Sequence, residues 1–365
     1  MSAVRYHETM TDFPLAHLDA RKFAALDDTD IALSPQLNVV LGDNGAGKSQ
    51  LMKLLYSTTF VLQDGRVTGE TSIREYETRL AKKLVGVFRP NSLGRLVTRT
   101  QGRSRAEVSV RYGNANDALE FSFASNSKTA VKITSRPSMP TVSSQDETDR
   151  PVFLPPHELL SIYPGFVSLY DNYKVEFDET WRDTASLLGK KPLRGPREKN
   201  ASKAIKPLEE VLQGSIFDAG DTFYLQRWGL GNLEAHLLAD GERKLAEIVR
   251  LVTTGTLLQS GYLFWDEPEA SLNPATQRVV AKTIGHLAKT GTQVFIATHS
   301  LFLLRELVLE LEGKDTEVRY IALRTDKPDI PAQSVSSLDD LDFLAALEAE
   351  AAQEERYFSS PIDAL

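Results

Sequence analysis

Apolar positions follow strand and helix periodicities in different parts of the chain. Residues 37–41, "LNVVL", are a short β-branched run that leads into glycines and then into "SQLMKLLYSTTFVL", whose apolar spacing suits a helix. This pattern predicts a strand, a loop and a helix in succession. From residue 232 onward, helix and strand patterns alternate: a helix after Gly241, the strand "GYLFW", a helix from Pro274, the strand "TQVFIA", a helix after His299 and the strand "EVRYIAL". Both ends of the chain are therefore predicted to be α/β.

The middle of the chain has a different pattern. Between residues 85 and 150, the segments "RLVTRTQG", "AEVSVRYGN", "ALEFSFASN" and "AVKITSRP" alternate in twos between turn signals, which predicts an antiparallel meander. Its tail, "SMPTVSSQDETDRP", is typical of a loop. A helical region is expected from about 166 to 225, interrupted by the basic segment "GKKPLRGPREKNASKAIK". The stretch "SLDDLDFLAALEAEAAQEERYF" predicts an acidic amphipathic helix.

The composition restricts the class of protein. A chain of 365 residues can bury a sizeable core, as two domains or as one large α/β domain with an insertion. The formal net charge of −8 argues against non-specific coating of nucleic acid, although local basic patches can still bind it. The absence of cysteine excludes disulfides and thiolate metal sites. Because no signal-peptide pattern and no membrane-span length is found, we expect a soluble, cytoplasmic protein without a membrane partner.

Residues 42–49, "GDNGAGKS", fit the phosphate-loop pattern G-x-x-x-x-G-K-[ST] between a predicted strand and a predicted helix. Glycines let backbone N–H groups curl around phosphates, and the helix N-terminus adds its positive dipole. We expect Lys48 to hold the β- and γ-phosphates of ATP and Ser49 to ligate Mg²⁺. The predicted nucleotide-binding residues of this loop are Gly42, Asn44, Gly45, Gly47, Lys48, Ser49 and Gln50.

Two further predicted strands end in polar clusters. The strand in "YLFWDEPEASLNP" ends in adjacent carboxylates, of which Asp266 can hold Mg²⁺ and Glu267 can polarise the attacking water. The strand in "VFIATHS" ends before His299, where a neutral donor can touch the γ-phosphate or the water. The predicted catalytic residues are therefore Lys48, Glu267 and His299, and the predicted magnesium ligands are Ser49 and Asp266.

The order of phosphate loop, "ADGER", "DEPE" and "THS" resembles the ATP-binding-cassette (ABC) class of ATPases. Within this class, the chain is similar to the prokaryotic stand-alone branch that includes OLD-type and RecF/SMC-like ATPases. The resemblance implies an α/β fold with an ABC-ATPase-type P-loop nucleotide-binding domain, an antiparallel β subdomain and an inserted helical arm. We predict residues 1–65 and 228–325 as a discontinuous ATPase core, 66–152 as the β subdomain, 153–227 as a helical insertion with a basic loop, and 326–365 as an acidic helical tail.

The segment "LLADGERKLAEI" corresponds to the signature sequence of this class, which contacts the γ-phosphate bound to the opposite subunit. The resemblance implies a head-to-tail homodimer in which Ala239, Gly241 and Glu242 complete the partner's ATP site. We expect Asp240 to be the N-cap of the signature helix and Gly241 to allow close backbone approach. The buried stripe of this helix is predicted to consist of Leu245, Ile248, Val249 and Val252.

The chain departs from the class at two of these positions. Ala239 stands where the class usually has serine, which removes one hydrogen bond to phosphate worth about 0.5–1.5 kcal/mol. Arg243 and Lys244 are the candidates to compensate for it. Asn273 stands where the class usually has an aspartate that senses the partner subunit. We still expect the dimer to form. The two departures affect how dimer formation is coupled to ATP hydrolysis.

Two other functional segments have weaker signals. The glutamine-loop position falls in "FLPPHELLS", which offers His157 and Glu158, and a plain strand followed by a helix start is an equal alternative. Near the N-terminus, Arg21, Lys22 and Phe23 precede the phosphate loop as a base-contacting segment would.

Basic residues are concentrated in two stretches. They are Arg74, Arg79, Lys82, Lys83, Arg89, Arg95, Arg99, Arg103 and Arg105 in the first, and Lys190, Lys191, Arg194, Arg197, Lys199, Lys203 and Lys206 in the second. A solvated face is the commoner explanation for such stretches, and binding of nucleic acid or an acidic partner is the alternative.

Two functions therefore stay open. The first is an ATPase switch in which ATP closes the dimer, hydrolysis opens it, and the arm reports the change to an effector. By resemblance, such ATPases often work in bacterial anti-phage or toxin–antitoxin pairs. Only about 60 residues follow His299, too few for the TOPRIM nuclease of OLD-type proteins, so we expect a nuclease or toxin to act in trans. The alternative is a RecF-like DNA-binding clamp in DNA repair or maintenance.

Overall fold

The structure is a computed structural model, and it describes residues 13–69, 72–98, 102–113, 118–138, 150–163, 165–194, 196–220, 222–258, 261–324 and 332–359. The strands are β1 Leu15–Arg21, β2 Thr29–Ala32, β3 Leu37–Gly42, β4 Arg105–Tyr112, β5 Ala118–Ala124, β6 Lys132–Ser135, β7 Val152–Leu154, β8 Gly214–Ala219, β9 Thr222–Arg227, β10 Gly231–Glu234, β11 Tyr262–Asp266, β12 Gln293–Ala297, β13 Val318–Leu323 and β14 Gln333–Val335. The helices are α1 Lys48–Thr68, α2 Ile73–Phe88, α3 Gly165–Asn172, α4 Glu179–Leu188, α5 Pro196–Leu212, α6 Asp240–Thr253, α7 Pro274–Lys289, α8 Leu301–Leu311 and α9 Ala345–Phe358.

The central sheet has the strand order β14-β13-β3-β12-β11-β7, and all its neighbouring pairs are parallel except β13 with β14. Both faces of the sheet are covered. On β12, Val294 and Ile296 belong to one hydrophobic core, and Phe295 and Ala297 belong to the other. A strand buried on both faces reads as a continuous apolar run, which explains why the local sequence predicted β3, β11 and β12 correctly. Their carboxyl ends meet at one edge of the sheet.

A second, antiparallel sheet has the order β2-β1-β4-β5-β6 and shares a core with α1, α2 and the central sheet. The predicted meander is found at β4, β5 and β6. Its first segment, "RLVTRTQG", is not a strand: a 3₁₀ helix at Leu93–Leu96 buries two leucines, and Val97 makes only an isolated bridge. Residues 99–101 and most of the predicted loop tail, 139–149, lie outside the described residues.

Pairing between distant segments also differs from the predicted organisation. β1 and β2, within the stretch assigned to the ATPase core, belong to the antiparallel sheet through the pairing of β1 with β4. β7, at the boundary between two predicted domains, is the edge strand of the central sheet beside β11. Local periodicity does not show which distant strands pair. The domain boundaries themselves remain a prediction.

The helical insertion begins as predicted, with α3, α4 and α5, but the helical region does not extend to residue 225. β8, β9 and β10 form a three-stranded antiparallel sheet there. In β9, alternate residues Phe223 and Leu225 are buried, so the period of this segment is two. Near the end of the chain, the acidic helix begins at Ala345 and not at residue 337. A serine-capped 3₁₀ turn, Leu338–Asp340, and the buried Phe343 precede it. No helix in the described part of the chain is long and apolar enough to cross a membrane.

Candidate nucleotide-binding site

The phosphate loop connects β3 to α1 through three glycines with positive φ. The φ angles of Gly42, Gly45 and Gly47 are 145°, 86° and 95°, values that L side chains rarely adopt. A Cβ at Gly42 would lie 2.4 Å from the carbonyl oxygen of Leu323 on β13. Gly47 is the N-cap of α1 and provides no side-chain hydrogen bond to the first turn. The amides of that turn are therefore available to an anion, with the helix dipole behind them.

Lys48, the first residue of α1, folds back onto this loop. Its Nζ donates hydrogen bonds to the carbonyl oxygens of Gly42 at 2.7 Å and Asp43 at 3.0 Å. Burial lowers the pKa of Lys48, and the nearby carboxylates of Asp266 and Glu267 act in the opposite direction. The fold thus brings the loop lysine close to both predicted carboxylates. Its ammonium can exchange carbonyl oxygens for phosphate oxygens, which form stronger, charge-assisted hydrogen bonds.

Asp266 lies at the end of β11 and is buried. The hydroxyl of Ser49 donates a hydrogen bond to its carboxylate, and burial raises the pKa of Asp266 against the effect of that bond. Both side chains offer the oxygen ligands that Mg²⁺ prefers, and a partly desolvated carboxylate is stabilised by a cation. The two predicted magnesium ligands are therefore adjacent in the structure and fit the ion. Their role in binding it remains a prediction.

Glu267 follows Asp266 with a left-handed backbone. Its φ is 48°, an uncommon value for a residue with a side chain and one that costs free energy. The backbone N–H of Glu267 donates to the carbonyl oxygen of Ala297 at 2.9 Å, and its carbonyl oxygen accepts from Lys244 Nζ at 2.7 Å. Hydrogen bonds on both sides thus hold this conformation. The side chain of Glu267 is 35% exposed, so that a water molecule can reach it.

His299 lies just after β12 and beside two carboxylates. Its Nδ1 is 3.9 Å from Glu267 Oε1 and 3.5 Å from Glu269 Oε1. Glu269 is buried, and the same Oε1 accepts hydrogen bonds from Thr298 Oγ1 at 2.7 Å and from the N–H of His299 at 3.2 Å. The sequence prediction did not assign Glu269. The available signal was its place as the fourth residue of "DEPE", but nothing in the sequence shows that this turn residue is buried.

The signature helix starts one residue away from its predicted N-cap. α6 begins at Asp240, so Ala239 is the N-cap and the prediction of Asp240 is wrong. The Asp240 carboxylate has other partners: it accepts a hydrogen bond from Ser271, which lowers its pKa, and pairs with Arg243 at 3.3 Å. Ser271 has a φ of 63°, and this turn brings the segment after β11 against the start of α6. The predicted buried stripe, Leu245, Ile248, Val249 and Val252, is confirmed.

Gly241 and Glu242 make their contacts within this same region. A Cβ at Gly241 would lie 2.7 Å from the carbonyl oxygen of Ser271, so the glycine permits the close approach. The Glu242 carboxylate accepts from the N–H of Ala239 at 3.1 Å and pairs with Arg227. Among the residues that the structure describes, no hydrogen bond or ion pair joins these signature residues to the phosphate loop. The polar contacts of the signature residues are therefore made with other parts of the chain.

Both proposed substitutes for the missing signature hydroxyl are bound to groups of the same chain. Arg243 donates to Glu158 at 2.7 Å, and the Lys244 ammonium is buried against carbonyl oxygens. The Glu158 carboxylate also accepts from the backbone and hydroxyl of Ser161, which favours a structural role at the glutamine-loop position. Asn273 caps α7 by accepting from the N–H of a residue in its first turn at 3.0 Å.

The remaining candidates of the nucleotide site have mixed outcomes. Asn44 is exposed in the phosphate loop, as a ligand-binding residue should be. Gln50 accepts a hydrogen bond from the N–H of Ala25 at 2.8 Å, which ties α1 to the segment after β1. Phe23 is fully buried and packs edge-on against Phe88 at 5.4 Å, so the prediction that it contacts the base is wrong. Its apolar ring is part of the core between the two sheets.

The basic stretches contain residues that already have partners. Arg79 pairs with Asp64, and the buried Lys83 pairs with Asp183 and Glu179. The exposed members are Arg74, Lys82, Arg95, Arg103 and Arg105 in the first stretch, and Lys191, Arg194, Lys203 and Lys206 in the second. Arg99 and the side chains of Arg197 and Lys199 lie outside the described residues. Each stretch therefore still offers cations to a partner.

The fold is shared with solved heads of SMC proteins. "Crystal structure of the SmcHead bound to the C-winged helix domain of ScpA" matches with a TM-score of 0.55 at 12% identity, over 90% of this chain and 100% of that chain. The Smc head domain with a coiled coil and joint from Pyrococcus yayanosii matches with a TM-score of 0.51 at 11% identity, over 93% of this chain and 100% of that chain. At these identities the likeness concerns the fold alone. It confirms the predicted α/β fold class, an ABC-ATPase-type P-loop domain.

Residues 37–305 match the family described as "AAA domain, putative AbiEii toxin, Type IV TA system", and the chain belongs to this family. The match runs from β3 into α8 and includes the phosphate loop, the signature helix, Glu267 and His299. No curated protein sequence is significantly similar to the chain. Family and fold together confirm a protein of the ABC/AAA ATPase class, which implies nucleotide binding.

Proposed function

We propose that this protein is an ATP-hydrolysing switch that forms a head-to-tail homodimer around two ATP molecules and controls a separate nuclease or toxin in bacterial anti-phage defence. The observation that carries the ATPase part is the convergence of three features at one edge of the central sheet. These are the Lys48 ammonium in its glycine loop, the Ser49–Asp266 pair, and the partly exposed side chain of Glu267.

The residues of the chain have distinct roles in phosphoryl transfer. Loop amides and Lys48 would bind the β- and γ-phosphates, because both present N–H donors at the phosphate loop. Ser49 and Asp266 would hold Mg²⁺, which would supply positive charge against the phosphate oxygens. Glu267 orients the attacking water and accepts its proton. His299 would donate a hydrogen bond to the γ-phosphate and stabilise its negative charge in the transition state.

The signature helix supports a dimer with two shared sites. Ala239 is exposed at the start of α6, where free backbone amides and the helix dipole favour an anion. Among the described residues, no hydrogen bond or ion pair joins the phosphate loop of the same chain to this helix start. A second copy placed head to tail, as the resemblance to the ABC class implies, would present its γ-phosphate there. Each ATP would then join two chains, and hydrolysis would release them.

The position of the helical insertion suggests how nucleotide binding reaches an effector. Lys53 of α1, the phosphate-loop helix, pairs with Asp178 at the start of α4 at 2.8 Å. Lys83 of α2 pairs with Asp183 of α4, and both side chains are buried. A shift of α1 on ATP binding would therefore be transmitted to the arm. These ionic contacts support α4 as the part of the insertion that would respond to nucleotide.

Two comparisons support a partner protein. The family description associates the family with a type IV toxin–antitoxin system, in which two components act as a pair. The similar SMC head was solved bound to a second protein domain, the C-winged helix domain of ScpA. Affinity purification of the tagged protein from its native host, in the presence of ATP, is expected to recover a nuclease-like or toxin-like protein. Recovery of the bait alone would contradict effector control.

The ATPase part is tested by two substitutions with different expected defects. Lys48→Ala removes the loop cation and is expected to weaken ATP binding at least about tenfold. Glu267→Gln keeps the shape of the base and is expected to bind ATP normally while turnover falls at least about 100-fold. Nucleotide titration and phosphate release measure the two effects. Glu312→Gln, the same change at an exposed position after α8, is the control. Unchanged turnover in Glu267→Gln would refute the assignment of the base.

The alternative function, a RecF-like DNA clamp, is favoured by the exposed cations of the basic stretches. It predicts DNA affinity that falls steeply with salt concentration, because phosphate contacts release counterions. Replacing Arg103, Arg105, Lys203 and Lys206 by glutamine would abolish such binding. DNA affinity that is lost in this variant would support the clamp, and absence of DNA binding in the unmodified protein would exclude it.

A further inference from the structure

The ammonium of Lys244 joins the start of the signature helix to three backbone carbonyl groups in two segments of the chain. Lys244 lies on α6, and the residue is 4% exposed. Its Nζ donates to the carbonyl oxygens of Glu267 at 2.7 Å, Pro156 at 3.0 Å and Ala270 at 3.4 Å. An ammonium has three N–H donors, and here each has a backbone acceptor. The salt bridges of the described residues include none for Lys244, so these carbonyl oxygens are its principal partners.

Such an arrangement is costly for stability alone. Removing an ammonium from water costs free energy that carbonyl oxygens offset less well than a carboxylate does. Burial accordingly lowers the pKa of Lys244 to about 8. The identity of the partners indicates what this buried ammonium does, because one of them is the carbonyl oxygen of Glu267. That residue has a φ of 48°, and the backbone conformation determines where its carboxylate points.

We infer that Lys244 is a positioning residue that holds the backbone of Glu267 and links the catalytic base to the signature helix. The inference rests on the proposed function, since it takes Glu267 as the base. Lys244 and Ala297 hold the carbonyl and the N–H of Glu267 from opposite sides. One turn earlier on α6, Gly241 contacts Ser271 in the turn that follows Glu267. The start of α6 and the turn carrying the base are therefore packed as one unit.

This linkage has a consequence for the dimer. The start of α6 would contact the ATP held by the second copy, while Lys244 acts on the base that serves the ATP of its own chain. Binding at one site would thus affect the geometry of the base at the other. Turnover would depend on both sites being filled, and loss of Lys244 would reduce hydrolysis more than ATP binding.

The test uses Lys244→Met, which is one heavy atom shorter, keeps the unbranched stem of the side chain and removes all three donors. We expect kcat to fall about 10- to 100-fold while the Kd for ATP changes less than about threefold. Lys244→Gln, which retains an N–H₂ group, should recover part of the loss. Arg250→Met is the matched control: Arg250 is also buried on α6 and donates to backbone carbonyl oxygens, of Leu188 at 2.9 Å and Lys190 at 2.8 Å. It should lower thermal stability but retain kcat.

A double substitution separates positioning from general destabilisation. In the Glu267→Gln background, Lys244→Met should not lower the residual single-turnover rate further, because the group it positions is already absent. An additive loss, an equal loss of kcat in Arg250→Met, or normal kcat in Lys244→Met would overturn the inference. If Glu267→Gln itself hydrolyses ATP at the unmodified rate, the base assignment fails. If Glu267→Gln stalls and Lys244→Met turns over normally, only the positioning role fails.

Discussion

Ala239→Ser restores a hydroxyl at the position where the ABC class carries one. Ala239 is exposed and is the N-cap of α6, with φ −63° and ψ 151°, so serine fits its backbone without strain. In the free chain, the new hydroxyl would accept a hydrogen bond from the backbone N–H of Glu242. In the closed dimer, it would donate to a γ-phosphate oxygen of the second copy. The two effects occur in different states and can be measured separately.

The expected magnitudes follow from these two partners. Serine in place of alanine at an N-cap stabilises a helix by about 1 kcal/mol. For 365 residues, an unfolding entropy of about 2.1 cal/mol/K per residue converts this gain to a Tm increase of roughly 1–2 °C. The dimer contains two signature contacts, each worth about 0.5–1.5 kcal/mol. The dimer Kd should therefore tighten roughly 5- to 160-fold in the presence of ATP.

Thermal unfolding without nucleotide measures the change in Tm caused by the helix cap. Sedimentation with ATP and Mg²⁺ measures the dimer Kd, and it uses the Glu267→Gln background to prevent hydrolysis. Ala352→Ser, at an exposed position inside α9, is the control and should change neither quantity by these amounts. A raised Tm with an unchanged dimer Kd would show that the start of α6 does not meet the partner's phosphate. That result would refute the proposed sandwich while leaving the helix cap correct.

Three further predictions concern residues whose roles the structure defines. Glu269→Gln removes the negative charge of the side chain whose Oε1 accepts a hydrogen bond from the N–H of His299. Turnover should fall about tenfold while ATP affinity is retained. An unchanged phosphate-release rate would show that the carboxylate is not needed. Gly42→Ala places a Cβ 2.4 Å from a carbonyl oxygen, whereas the Cβ of Gly45→Ala meets open space. Thermal unfolding should therefore show a larger decrease in Tm for Gly42→Ala. Equal decreases in Tm would contradict the loop geometry. Burial raises the pKa of Glu247 from 4.5 to about 8. The folded chain therefore binds an extra proton between these pH values, and this group's contribution to unfolding free energy falls as pH rises from about 5 to 8. Denaturant unfolding of Glu247→Gln should show a smaller decrease over that range, and an unchanged decrease would exclude Glu247 as its cause.

The fold was predictable where its signal is local. β3, β11 and β12 are apolar runs buried on both faces, and each leads into a turn or helix start that the sequence displays. The partners of β1 and β7 were not predictable, because these strands pair with segments far away in the chain. β9 was missed although it has a local signal: Phe223 and Leu225 alternate with polar residues. The helical pattern before it was extended too far.

The residues of the candidate site also divide into those with a local sequence signal and those without one. Lys48, Ser49 and Asp266 were predictable because two short motifs contain them, and the parallel sheet brings the motifs together. Glu269 and Lys244 were not, because their roles depend on burial and on the left-handed backbone after β11. A charged residue in a turn or at a helix start is usually solvated. Only the three-dimensional packing shows that these two contact the turn and strand ends that carry the predicted catalytic groups.

The most direct test of the ATP-dependent dimer is the mass of the Glu267→Gln protein in light scattering, with and without ATP and Mg²⁺. One chain has a mass of 40.5 kDa. The proposed switch predicts a shift from this mass to about twice its value when ATP is added, because bound nucleotide joins the phosphate loop of one copy to the signature helix of the other. A mass that does not change with ATP would contradict the switch.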